Sequence, residues 1–290
     1  MNSFAYYSPK NLQQTFALLA DYGPDARFLA GGTDLLVRLK FGKILPKAVI
    51  DLKGMPELNT GIRQVGQEVY IGALTTMAAL HMDSLINRYY PALVEAVLNI
   101  GSVQIRNRAS IAGNLCNASP AADSAPSLLI YATRVVCISP RGERVLPLRE
   151  FIVGPGRTAL TKDELVKEII LPVPSSDQAA AFNRLTRRKG VDLATINLCC
   201  QVNTHGLTRF ALGAVGPVPV MVEEGDGLLT SNKLSAEAKK ELIAKLMSKA
   251  TPITDVRASK EYRQAMLTVL GQRALVTALE RLQQTREELQ

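Results

Sequence analysis

A short apolar strand that runs straight into two glycines constrains this chain more than any other feature: residues 26–42 read ARFLAGGTDLLVRLKFG. The Leu and Val residues of DLLVRLKF recur at spacings that fit one helix face, so Gly31, Gly32 and Thr33 form a tight strand-to-helix loop. Two readings of that loop follow. In one, Gly32 supplies the positive φ that the turn needs and Thr33 caps the helix. In the other, the glycines remove side chains so that a phosphate reaches bare amides at the helix start, where the dipole favours negative charge. Both stay open on this stretch alone.

The surroundings read as a small βαβ-like unit. SPKNLQQTFALLADYG predicts a helix with Ser8 as N-cap, Pro9 at the first helical position and Gly23 past the end. KAVIDL, residues 47–52, predicts a further strand. Beyond it, EVYIGALTTMAAL reads as a strand followed by a helix capped at Thr75 or Thr76, and YPALVEAVLNIGS as a helix closed by Gly101. TRVVCISP and ERVLPL form a hairpin, and LVKEIILPVP is a buried strand ending in prolines. The pattern then changes: three antiparallel strands (AAFNRLTRRKG, LATINLCCQVN, RFALGAVGPVPVMV) precede helices near 234–249 and 257–285. A domain boundary near residue 175 follows.

A second informative segment is SIAGNLCNASPAADSAP, Ser110 to Pro126, which reads as a loop of small residues. Gly113, Asn114, Asn117, Ser119, Asp123 and Ser124 offer donors and acceptors among alanines small enough to let a flat ligand lie against the chain. Other nucleotide signals are missing. GPGRTA at 154–159 carries Pro155 and follows no clear strand, so it reads as a loop, and there is no phosphate-binding G-x-x-x-x-G-K-[ST] and no G-x-S-x-G elbow.

Composition excludes several classes. With 290 residues, 47% hydrophobic and 21% charged, the chain suits one or two globular domains. No apolar run is long enough for a bilayer, and the N-terminus lacks a charged-then-apolar leader, which predicts a cytoplasmic protein. Cys116, Cys137, Cys199 and Cys200 lack metal-ligand spacing and the two histidines are far apart, so no metal site is expected. The net charge of +8 is spread along the chain, apart from one dense run at Arg184–Gly190, with no nucleic-acid motif.

LAGGTDLLVRLK, followed about eighty residues later by IGSVQIRNRASIAGNLCNASPAADSAPSLL, resembles the FAD-binding medium subunits of the molybdenum hydroxylases, the xanthine dehydrogenase and carbon monoxide dehydrogenase family. The resemblance extends to GERVLPLREFIVGPGRTAL and RRKGVDLATIN, nearly the whole chain. It implies an α+β fold: a vanillyl-alcohol-oxidase (PCMH-type) FAD-binding domain over 1–175, with lobes of about 1–55 and 56–175, then a C-terminal α+β domain over 176–290 built on a three-stranded antiparallel sheet.

The same resemblance implies the site. Leu29, Ala30, Gly31, Gly32, Thr33, Asp34 and Leu35 would wrap the FAD pyrophosphate through backbone amides. Ser110, Gly113, Asn114 and Ser119 would contact the pyrophosphate and ribityl chain, and Asp123 would accept ribose or adenosine-side hydroxyls. Val166 would pack against the isoalloxazine, and Asn183 or Arg184 would stand where relatives often place a lysine. Gly101, Asn107 and Asp192 also match, with turn roles sufficient for Gly101 and Asp192. Cys116 reads as a packing residue. No catalytic acid, base or nucleophile is expected, because the reaction implied is electron transfer. FAD would pass electrons from 2Fe–2S clusters to NAD or another acceptor, with the molybdenum cofactor on a large subunit and the clusters on a small one. A stand-alone FAD-dependent oxidoreductase of the same fold is the alternative.

Overall fold

The computed structural model describes residues 3–288; the expected domain limits at residues 1 and 290 lie outside them. In chain order the first elements are β1 (Ala5–Tyr7), α1 (Leu12–Tyr22), β2 (Ala26–Leu29), α2 (Leu35–Lys40) and β3 (Ala48–Asp51). Next come β4 (Ile62–Val65), β5 (Glu68–Gly72), α3 (Met77–Met82), α4 (Ser84–Tyr89) and α5 (Pro91–Leu98). Three short helices follow: α6 (Val103–Arg106), α7 (Ile111–Asn117) and α8 (Ser124–Ile130). Then come β6 (Arg134–Ser139), β7 (Gly142–Pro147), α9 (Leu148–Phe151), β8 (Ile152–Gly154), β9 (Arg157–Thr158) and β10 (Leu165–Pro172). The last stretch holds β11 (Gln178–Leu185), β12 (Ile196–Asn203), β13 (Thr208–Gly213), β14 (Val220–Glu224), α10 (Ala236–Met247) and α11 (Lys260–Glu288).

These elements form two compact units. The first gathers residues 1–85, 101–118 and 133–172. A parallel sheet of order β1-β3-β2 carries α1, so the βαβ reading of the start is borne out. Leu19, Ala26, Ile50, Leu52, Met55, Leu58 and Leu165 pack together there. The helix start differs from expectation: α1 begins at Leu12, because the Asn11 side chain accepts from the Gln14 amide at 2.9 Å and makes the cap assigned to Ser8. An antiparallel sheet of order β4-β5-β10-β6-β7 completes this unit, with the expected hairpin at β6 and β7. GPGRTA is the tight turn of the β8–β9 ribbon.

The second unit gathers residues 86–100, 119–132 and 173–290. Its antiparallel sheet has four strands, β11-β12-β13-β14, where three were expected. RFALGAVGPVPVMV read as one strand, but Ala214 at φ 58° breaks it after Gly213 and the chain returns as β14. β12 is buried along nearly its whole length, with α8 and α11 both packed against it, which explains its mostly apolar sequence interrupted only by the buried Asn197 and Gln201 before its last residue. Phe210, Ile243, Met247, Leu267 and Leu270 fill the core beneath.

Candidate cofactor-binding site

The glycine loop leaves β2 at Leu29 and enters α2 at Leu35. Gly32 has φ 79°, a left-handed backbone that only glycine adopts without strain. Gly31 is a glycine for another reason. A Cβ there would lie 1.8 Å from the Arg108 carbonyl oxygen, so its bare backbone admits the neighbouring chain at Arg108–Ala109. The missing side chain of Gly31 thus makes room for this backbone clamp, and its amide stays on the loop. The backbone N–H groups of Gly31, Gly32, Thr33 and Asp34 have no hydrogen-bond partner among the described residues. Unpaired amides need a ligand or water, and here four successive ones stand on a loop that is half-buried from Leu29 to Thr33.

The second segment is helical where a loop was expected. Ser110 is buried and caps α7, its Oγ accepting from the Gly113 amide at 3.2 Å. Small polar residues favoured a loop reading, but a serine three residues before the glycine is also a helix start. The Met77 amide donates to the Ala109 carbonyl at 2.8 Å and the Ile111 amide to the Thr75 carbonyl at 3.0 Å, which pin the turn before α7. A Cβ on Gly113 would meet Ala30 Cβ at 4.0 Å, so the two predicted segments face each other across small residues. Asn114 sits half-buried on α7. Val166 is buried on β10, in register with Cys137, and β10 packs against α7. Burial pushes the Cys116 thiol up to about 12, so it stays protonated, as its packing assignment requires.

A three-residue bridge that sequence reading did not find ties these segments. Asn117 Nδ2 donates to Asp34 Oδ1 at 3.1 Å, while Arg38 Nη2 donates to Asn117 Oδ1 at 2.7 Å. Asp34 therefore holds α7 and makes no side-chain cap for α2. No local pattern announces a partnership across 83 residues.

The remaining predicted residues belong to the second unit. Ser119 is half-buried, its Oγ accepting from the Ala121 amide at 3.3 Å. Asp123 is buried; Arg184 Nη1 donates to Oδ2 at 2.6 Å and Asn197 Nδ2 to Oδ1 at 2.8 Å. Arg184 also donates to the carbonyls of Asn99 and Asp192, at 2.7 and 2.8 Å. Burial pushes the Asp123 carboxyl up to about 6 against the opposing pull of the Arg184 charge and of hydrogen bonds from Asn197 and Arg184. Asp123 and Arg184, for which the resemblance implies flavin-side roles, form a mutual ion pair. Asn197 is the residue missed here. It is fully buried in β12, and a Cβ on Gly213 would lie 2.1 Å from its Oδ1, so Gly213 makes the space it occupies. Asn183 is half-buried on β11 opposite Leu198.

Among the described residues no cluster of His, Cys, Asp and Glu could hold a metal, and no helix is long and apolar enough to cross a membrane. The chain matches the model of the FAD binding domain in molybdopterin dehydrogenase over residues 2–174 and that of the CO dehydrogenase flavoprotein C-terminal domain over 180–278. It is 30% identical over 280 residues to the xanthine dehydrogenase FAD-binding subunit of Escherichia coli O157:H7, covering 95% of this chain and 96% of that one. It is 32% identical over 279 residues to the carbon monoxide dehydrogenase medium chain of Hydrogenophaga pseudoflava, covering 95% and 96%. A chain of the reconstituted CO dehydrogenase from Oligotropha carboxidovorans superposes with a TM-score of 0.89 at 30% identity, covering 97% of this chain and 99% of that one.

Proposed function

The chain belongs to the family of FAD-binding medium subunits of xanthine dehydrogenase and carbon monoxide dehydrogenase, and from that premise we propose that it is the FAD-holding electron-transfer subunit of a molybdenum-containing hydroxylase. The observation that carries this reading is the run of four unpartnered amides from Gly31 to Asp34, facing Ser110 and Gly113 across Ala30. Successive amides of this kind suit the oxygens of a pyrophosphate. When bound, FAD supplies two-electron acceptance and one-electron release, which neither loop's side chains can perform.

The chain's own residues bind and orient. Gly31 to Asp34 would offer the amides, and Ser110, Gly113 and Asn114 would border the ribityl side. Val166, buried on β10, would pack against the flavin ring. Asp123 and Arg184 brace the second unit through their ion pair. Asp34 is held by Asn117 and the Cys116 thiol stays protonated, so neither loop offers a base for substrate chemistry. Substrate oxidation therefore belongs to a molybdenum-binding large subunit, with an iron–sulfur small subunit as relay and NAD or another acceptor as outlet. Relatives that are themselves subunits favour this over a stand-alone FAD-dependent oxidoreductase. A boundary near residue 175 between the FAD-binding and C-terminal domains, and a cytoplasmic location, complete the proposal.

The test is to purify the chain with its partners, release the flavin by heat and identify it by chromatography. One FAD per chain is the expected result. A flavin-free preparation that takes up none from excess FAD would refute the proposal.

A further inference from the structure

In sequence, the four unpartnered amides from Gly31 to Asp34 lie between two contacts with α7. A Cβ on Gly113 would meet Ala30 Cβ at 4.0 Å, and Asn117 Nδ2 donates to Asp34 Oδ1 at 3.1 Å. Gly113 and Asn117 are four positions apart, as are Ala30 and Asp34, so one face of α7 runs along the loop and touches it at both ends. The second contact holds a charge.

That charge is out of place beside an anion. Asp34 is the only carboxylate in residues 26–47, and residues 101–122 hold none. Asp51, in register with Leu29 across the sheet, is spent on Tyr6 and Lys53. Aspartate side chains readily accept from the backbone amides of their own turn, and a carboxylate settled there would also repel a pyrophosphate. Asp34 does neither: among the described residues no loop amide donates to its side chain, and its Oδ1 is turned to α7.

Asn117 is what draws it there. Asp34 and Arg38 stand four positions apart, a spacing at which such residues ordinarily pair directly, yet Asn117 bonds to both and joins them instead. Arg38 Nη2 donates to Asn117 Oδ1 at 2.7 Å, so the amide oxygen faces the guanidinium and the N–H faces the carboxylate. A reversed amide would set donor against donor and acceptor against acceptor. The backbone holds Asn117 in place at some cost. Ala118 directly after it has φ 44°, a left-handed conformation unfavourable for a residue with a Cβ, and its carbonyl accepts from the Gly156 amide at 2.9 Å.

We propose that Asn117 is a positioning residue that keeps the Asp34 carboxylate off the loop amides, so that the amides stay open to the pyrophosphate of the cofactor; the assignment rests on the flavin reading above. Arg38 acts through Asn117, orienting its amide and setting a positive charge behind it. The loop supplies the donors, and α7 removes their competitor.

The test strips the flavin from the complete complex and titrates FAD back, reading uptake by the quenching of flavin fluorescence, with melting curves of the flavin-free complexes run alongside. Asn117→Ala should weaken FAD binding about tenfold, because the freed carboxylate competes for the amides. Arg38→Ala should weaken it about threefold, since Asn117 keeps its bond to Asp34 but loses the group that orients it. Adding Asp34→Ala to Asn117→Ala should recover most of the loss, as the amides remain and the competitor is gone. A bridge that merely joined the loop to α7 would give no recovery, because the double variant lacks both partners of the bond. Should Asn117→Ala fail to assemble, Asn117→Ser with and without Asp34→Ala carries the same comparison. Unchanged affinity in the single variant, or a double variant as weak as the single one, would overturn the role of Asn117 alone. A parent complex that takes up no FAD would defeat the flavin reading, and this role with it.

Discussion

Two polar clusters in this chain behave in opposite ways. Around Gly31–Asp34 the backbone offers four donors that the described residues leave unused. Around Asp123 the side chains use one another up, carboxylate against guanidinium and amide, in a buried setting. Both looked alike in sequence, as polar residues among glycines and alanines. The difference teaches that a binding site is marked by donors left over after folding, and a brace by donors consumed in it.

The largest expected effect tests the brace. Arg184→Ala leaves a buried carboxylate without its cation and should cost about 3–5 kcal/mol near pH 8. The loss should shrink near pH 5, where Asp123 takes up a proton, so denaturant melts at the two pH values check both halves of the claim. Equal stability of variant and parent at pH 8 would make the pair idle.

A change in the clamp comes next. Gly31→Ala forces a Cβ against the Arg108 carbonyl and should cost about 3 kcal/mol by displacing the turn before α7. Thermal unfolding would then shift down by about 6–12 °C. An unshifted melting curve would mean that the two segments are not in contact as described.

The pH dependence of the brace follows from its sign. Asp123 has a folded value of about 6, above its unfolded 3.8, so its contribution to stability is fully present below pH 3.8 and is lost as pH rises through 6. Stability of the parent relative to Asp123→Asn should fall by up to about 1.4 kcal/mol for each pH unit between 4 and 6. A relative stability that rises over that interval would show the ionised pair to be the favoured form. The smallest effect belongs to Cys116→Ala, which should lose about 1 kcal/mol of packing and leave flavin reduction unchanged; a large drop in reduction rate would give the thiol a redox role.

Much of the fold was legible because local rules decide it. The strand–glycine–helix order at 26–40, the cap at Thr76 and the hairpin from 134 to 147 all rest on neighbours in sequence. Elements that depend on distant partners were not legible. The break between β13 and β14 escaped notice because the segment remains apolar through Ala214, and Asn11 took the cap because its side chain reached Gln14 first. In the site, Gly32 was read correctly for its φ, whereas the clamp on Gly31 depends on Arg108, 77 positions away, and Asn197 is bound to Asp123 across 74. Spacing within a window carries none of that.

The central claim is that the loop amides from Gly31 to Asp34 are the cofactor's handle, and titrating FAD into the 15N-labelled chain while following backbone amide resonances tests it most directly. The account predicts large shifts at Gly31, Gly32, Thr33 and Asp34, with slowed hydrogen exchange there, and little change at Asp123. FAD that binds while those four amides stay unmoved and freely exchanging would contradict it.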